Sequence, residues 1–176
     1  MTATDSTADG PIADPAAPHA HRFAPLGAEA AARWSTFLRW PDATYFPNVV
    51  GLEVDDIRLD YCRLRLPYRP ELDQPAGVVH GGAIATLIDT VVVPAVGAAY
   101  DTRPVMLTIT MNVQYLGAIR QEDAIAEGWV EQRGRSTVFC RAEVRAPDGR
   151  LAATGTLVYA VRFPDRGRAP GVTPSE

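Results

Sequence analysis

Apolar and polar residues change their spacing several times along the chain, and each change marks an element. Over 28–40, Ala31, Trp34, Phe37 and Leu38 recur at helical spacing and Pro41 stops the run, which predicts an N-terminal amphipathic helix laid on the domain surface. The stretches 49–55 and 61–67 read as two strands, the second alternating Arg63 and Arg65 with Leu64 and Leu66. Over 81–100 the residues are small or aliphatic on every side, the mark of a helix buried all round, with Pro94 expected to bend or end it.

From 105 to 163 the chain reads as four more strands. In the first, Val105, Leu107, Ile109, Met111, Val113 and Tyr115 alternate with Thr108, Thr110, Asn112 and Gln114, which predicts one buried and one polar face. Strands over 125–133, 138–146 and 151–161 follow, divided by turns at Arg133-Gly134-Arg135 and Pro147-Asp148-Gly149. The class is α+β: one antiparallel sheet that must wrap the long central helix to bury its circumference. Residues 1–22, rich in Ala, Pro, Asp and Thr, read as a disordered tail, 23–163 as the folded domain, and 164–176 as a second tail.

Composition narrows the function. The chain has 176 residues, 47% hydrophobic and 22% charged, enough for one domain with a real core. A formal net charge of -4 excludes the basic face a nucleic-acid binder needs, so any anionic ligand must be met by local arginines. Cys62 and Cys140 stand apart from any zinc or CxxC pattern and read as idle thiols; no metal is expected. No apolar run is long enough to span a bilayer, and a cytoplasmic location is the default expectation.

Asp89 is the only charged side chain of the central helix, flanked by Leu87, Ile88, Val91 and Val92. With Thr86 and Thr90 it forms a narrow polar stripe at spacings of three and four, suited to lining a cleft. Desolvation there would push its carboxyl toward general-base duty. Val79-His80-Gly81-Gly82 precedes the helix; its glycines admit a ligand close to backbone N–H groups at the positive end of the helix dipole, as a developing oxyanion requires. His80 reads either as an imidazole that fixes this turn or as a direct participant.

The segment from Gln74 to Asp89 resembles the signature of hotdog-fold thioesterases of the phenylacetate-degradation (PaaI-like) branch: Asn-x-x-Gly-x-x-His-Gly-Gly, then a helix with Leu-x-Asp. Gln74 stands where that branch usually has Asn. The resemblance runs from about Gly51 to Val161. It implies a hotdog fold and hydrolysis of an aryl- or fatty acyl-CoA thioester, coenzyme A being part of the substrate and no cofactor needed.

The resemblance further implies Asp89 as base or nucleophile, the Gly81 N–H as oxyanion donor with Gly82 supporting the turn, and Gln74 orienting water. It implies that Thr108 binds water or carboxylate from a neighbouring subunit. A CoA groove would run along Tyr115 to Arg120 and the turn carrying Arg133, Gly134, Arg135 and Ser136, whose arginines suit phosphate. It implies a homodimer or homotetramer with sites across the two-fold axis. A hotdog enoyl-CoA hydratase and a non-catalytic acyl-CoA binding module are the competing expectations.

Overall fold

The computed structural model describes residues 14–163. Its elements are α1 (Ala28–Trp34), α2 (Phe46–Val50), β1 (Glu53–Arg58), β2 (Tyr61–Leu66), β3 (Asp73–Gln74), β4 (Val78–Val79), α3 (Gly81–Gly97), β5 (Val105–Tyr115), β6 (Ala124–Arg133), β7 (Thr137–Arg145) and β8 (Leu151–Arg162). Six strands form one antiparallel sheet in the order β1-β2-β6-β7-β8-β5, and β3 and β4 pair separately. The sheet curls around α3, whose Leu87, Ile88, Val91, Val92, Ala95 and Val96 are wholly buried against it. This is the hotdog arrangement expected of the sequence.

Two glycines set how closely helix and sheet approach. A Cβ at Gly128 of β6 would lie 2.6 Å from Val91 Cγ1, and one at Gly155 of β8 would lie 2.5 Å from Ile88 Cγ2. Such contacts are far inside van der Waals distance, so only glycine lets α3 lie this deep. The helix continues through Pro94 and stops at Gly97, short of the expected Tyr100.

Three expectations about the elements are corrected. The N-terminal helix ends at Trp34, and Leu38 takes a left-handed φ of 62°; Phe37 and Leu38 are buried, but by a turn and not by a continuing helix. The strand expected over 49–55 is replaced by the short helix α2, closed by Gly51 in a left-handed conformation (φ 87°), with β1 starting only at Glu53. The regular alternation of β5 is broken by a bulge between Thr108 and Thr110. Met106 and Thr108 before it, and Met111, Val113 and Tyr115 after it, pair with the inward residues of β8, so Val105 and Leu107 face outward and are about half exposed.

The expected tail boundary at Arg22 falls inside a packed segment. Residues 14–23 run as a strap over the outer face of the sheet, with Ala16 and Ala17 buried and Asp14 paired to Arg63 at 2.7 Å. His19 lies 4.6 Å from the Trp129 ring, and Phe23 stacks on Tyr61 at 5.1 Å. Beneath the strap, Glu127 is 1% exposed and accepts from Tyr61 Oη (2.9 Å) and the His19 N–H (3.0 Å). The second expected tail, 164–176, lies outside the described residues.

Candidate active site

The first turn of α3 is built by its cap. His80 holds the N-cap position with extended backbone, and its Nδ1 accepts the Gly82 N–H at 2.8 Å. Its carbonyl accepts from Ala83 (2.9 Å) and Ile84 (3.3 Å). A helix opens with four amides that have no partner inside it. The His80 N–H donates to the Leu72 carbonyl (2.7 Å), so with Gly82 and Ala83 three are engaged, and the Gly81 N–H alone has no protein partner among the described residues. A ring whose Nδ1 accepts carries its proton on Nε2, so His80 here fixes the turn.

Beside that amide, Tyr115 Oη donates to the Gly81 carbonyl at 2.9 Å, and its ring would touch a Cβ on Gly81 at 3.3 Å. A cavity of about 260 Å³ opens there, lined by Gln74, Val78, Gly81, Ile84, Tyr115 and Ile119. Gln74, Gly81 and Tyr115 are therefore brought together as expected. Arg120 stands exposed nearby and donates to the Gly77 carbonyl at 3.4 Å.

Asp89 occupies a separate place on the same helix. It is half-buried and not enclosed by its aliphatic neighbours, because Leu87, Ile88, Val91 and Val92 are wholly buried while Asp89 faces the β8–β5 edge of the sheet. Its Oδ1 accepts from Thr108 Oγ1 at 2.9 Å and from Tyr159 Oη at 2.6 Å; the Tyr159 oxygen also lies 2.8 Å from the Asp89 carbonyl. Thr108 and Tyr159 are cross-strand partners on β5 and β8, and the bulge after Thr108 is what turns its hydroxyl inward. Thr108 thus reaches Asp89 within one chain, where the resemblance implied a neighbouring subunit.

Other expected positions divide. Thr86 Oγ1 donates back to the Gly82 carbonyl at 2.8 Å, and Thr90 is buried, so the polar stripe narrows to Asp89. Arg133 is not available to a phosphate. It donates to Asp60 through Nε (3.0 Å) and Nη2, to Tyr100 Oη (3.2 Å) and to the Ala95 carbonyl (3.2 Å), which ties the C-terminal part of α3 to the β1–β2 turn. Gly134 closes its own turn by donating to the Thr137 carbonyl at 2.7 Å, and Ser136 accepts the Val161 N–H through its carbonyl. Arg135 is exposed on that turn.

Tyr159 is the residue that reading the sequence missed. Within Leu157-Val158-Tyr159-Ala160-Val161 it looks like one more core aromatic; only the register of β5 against β8 reveals its hydroxyl beside Asp89. Burial, then the Asp89 charge, push its phenol well above the ordinary range, so it remains a protonated donor. Burial also pushes the Cys140 thiol up to about 12 and Cys62 well above the usual range, which leaves both thiols unreactive near neutrality. Among the described residues no group of three His, Cys, Asp or Glu is placed to hold a metal ion, and no helix is long and apolar enough to cross a membrane.

Residues 76–153 match the family described as the thioesterase superfamily. A protein of Halobacterium salinarum named as a putative esterase is 38% identical over 121 residues, covering 65% of this chain and 79% of that protein. The chain belongs to the thioesterase superfamily. As a superfamily member it is a thioester hydrolase. Its fold is shared with the PaaI protein of the Escherichia coli phenylacetic acid degradation operon, at TM-score 0.67 and 13% identity over 77% of this chain and 95% of that one. It is shared also with a thioesterase of Haemophilus influenzae, at TM-score 0.66 and 19% identity over 72% of this chain and 89% of that one. The superfamily match takes in Gly81, Asp89 and Thr108 and stops before Tyr159.

Proposed function

We propose that this thioesterase hydrolyses an aryl- or fatty acyl-CoA in the cytoplasm, at a site that two copies of the chain build together. The observation that carries this reading is the placing of Asp89: the one charged side chain of α3, half-buried, with Oδ1 held by hydroxyls and Oδ2 without a partner among the described residues. Oδ2 takes a proton from water as the water oxygen attacks the thioester carbon. The tetrahedral oxyanion is received by a Gly81 N–H. Collapse breaks the carbon–sulfur bond and releases CoA thiolate, which takes up a proton, and the free acid.

One chain does not suffice for this. Gly81 and Asp89 are eight residues apart on α3, which at 1.5 Å per residue is about 12 Å along the axis. A carbonyl oxygen within 3 Å of the amide would leave its carbon far out of reach of Asp89. A second copy related by a two-fold axis brings its own Gly81, Gln74 and Tyr115 to the Asp89 of the first. The free edge of β5, with Leu107 and Ile109 more than half exposed, is a surface suited to such pairing. In that assembly Arg120 and Arg135, neither in an ion pair among the described residues, are the cations offered to CoA phosphates, and pairs of dimers would make a tetramer.

The test is release of CoA thiol from a panel of aryl and fatty acyl-CoAs by the wild type, Asp89→Asn and Asp89→Ala. Turnover that falls by about 10²-fold or more in both variants, a loss in the range of general-base catalysis, supports the proposal. Tight acyl-CoA binding without turnover on any substrate would replace it with a binding module. Release of label into Asp89 after single turnover in H₂¹⁸O would convert the base into a nucleophile.

A further inference from the structure

The Thr108–Asp89–Tyr159 cluster contains more hydroxyl than a carboxylate needs to stay in place. We propose that Tyr159 is a positioning residue, one that with Thr108 pins Oδ1 of Asp89 and thereby makes Oδ2 the oxygen that acts on the substrate. This rests on the reading of Asp89 as the working carboxylate.

The phenol has one proton and two acceptors in reach, the carboxylate at 2.6 Å and the Asp89 backbone carbonyl at 2.8 Å. An O–H donor to an ionised carboxylate settles at about 2.5–2.7 Å, and one to a neutral oxygen nearer 2.7–2.8 Å. The shorter separation assigns the proton to the carboxylate. The backbone carbonyl takes the weaker share of the same hydrogen.

Tyr159 is fitted to hold a fixed direction. Its ring is 2% exposed, and its strand is flanked on both sides, by Thr108 of β5 and Val138 of β7. Asp89, on the half-exposed side of α3, has no such packing of its own and would otherwise sample several rotamers. With Thr108 and Tyr159 both donating to Oδ1, rotation about the Cβ–Cγ bond costs two hydrogen bonds at once. Oδ2 is the atom left facing outward. A purely structural tyrosine would need its hydroxyl satisfied, but not by the one carboxylate of the helix, and not by the same oxygen that a second hydroxyl already holds.

The experiment uses the full chain. Tyr159→Phe keeps the ring and removes the hydroxyl, and kcat, KM for an accepted acyl-CoA, melting temperature and the affinity for a thioether analogue of the substrate are measured. The expected result is a fall in kcat of about 10- to 100-fold, with KM and analogue affinity within about twofold of wild type. In an Asp89→Asn background Tyr159→Phe should cause no further loss, because its effect passes through that carboxylate. Where the Phe variant does not fold, 3,5-difluorotyrosine at 159 keeps the hydroxyl, makes it a stronger acid at a small cost in ring size, and should change kcat far more than the melt. Unchanged kcat in a folded variant, or equal additional losses in both backgrounds, overturns the proposal. Full activity of Asp89→Asn alone would instead sink the reading of Asp89 on which it rests.

Discussion

His19 Nε2 lies 3.0 Å from Oε2 of Glu143, a residue 124 positions further along the chain. With the contacts of Ala16, Ala17 and Phe23, this bond makes the N-terminal strap part of the folded body. Deleting residues 1–22 should therefore lower stability, by something on the order of 3 kcal/mol, because Trp129 and Glu127 lose their cover. Thermal melts of the truncated chain check this. A melt identical to wild type would mean that the strap contributes nothing.

Glu127 gives a pH dependence. Burial raises its carboxyl above the ordinary range, and the bonds from Tyr61 and His19 offset this only in part. A raised folded value means that its contribution favours the fold below the ordinary carboxylate range and is lost as pH climbs through the raised value. Glu127→Gln keeps an acceptor for both donors and cannot ionise. Its melting temperature should match wild type below the ordinary carboxylate range and exceed it once the pH has passed the raised value. A difference that does not vary with pH would contradict the buried charge.

Subunit sharing can be read from mixed assemblies. Asp89→Asn and Gln74→Ala homo-oligomers should each be impaired. After joint refolding, heterodimers contain one site with wild-type Asp89 and wild-type Gln74 if the two residues serve a site from different chains. Statistical mixing should then recover about a quarter of wild-type activity, since half the dimers are mixed and half of their sites are intact. Recovery no greater than the mean of the two parents would place both residues in one chain's site.

The two arginines flanking Gly134 should separate cleanly. Arg133→Ala removes the ties to Asp60, Tyr100 and the Ala95 carbonyl and should cost about 1–3 kcal/mol of stability, with KM for acyl-CoA little changed. Arg135→Ala should leave the melt unchanged and raise KM. The reverse pattern would return Arg133 to the substrate groove.

Packing against the helix gives a further check. Gly155→Ala places a methyl group 2.5 Å from Ile88 Cγ2 at the centre of the sheet and should destabilise by about 1–3 kcal/mol. An equally large loss of kcat in the molecules that remain folded is expected, since Ile88 precedes Asp89. A variant as stable as wild type would show that α3 can back away from β8.

The central helix, the order of strands around it and the Gly81 turn were legible in the sequence because each rests on local pattern: an apolar circumference, alternation, and glycines ahead of a helix. What failed was decided by distant contacts. Phe46-Pro47-Asn48-Val49-Val50 is apolar enough for a strand, and only Gly51 in its left-handed state signals a helix end. Residues 14–22 lack large apolar side chains, but two alanines and a histidine suffice where the sheet already offers Trp129 and Tyr61. Arg133 looked like a phosphate ligand because its partners, Asp60 and Ala95, are remote in sequence. Tyr159 could not be found without the β5–β8 register.

The bulge in β5 makes the identity of the inward hydroxyl a matter of counting. Remove Ile109 and the strand falls back into a single phase across its length. With Met111, Val113 and Tyr115 held inward, that phase keeps Thr108 opposite Tyr159, whereas flattening the bulge with Ile109 retained would put Ile109 there and turn the hydroxyl out to solvent, although no residue of the site had been replaced. A sequence comparison that lets one gap slide along this strand will pair the wrong residue with Asp89, choosing Ile109, whose side chain carries no hydroxyl.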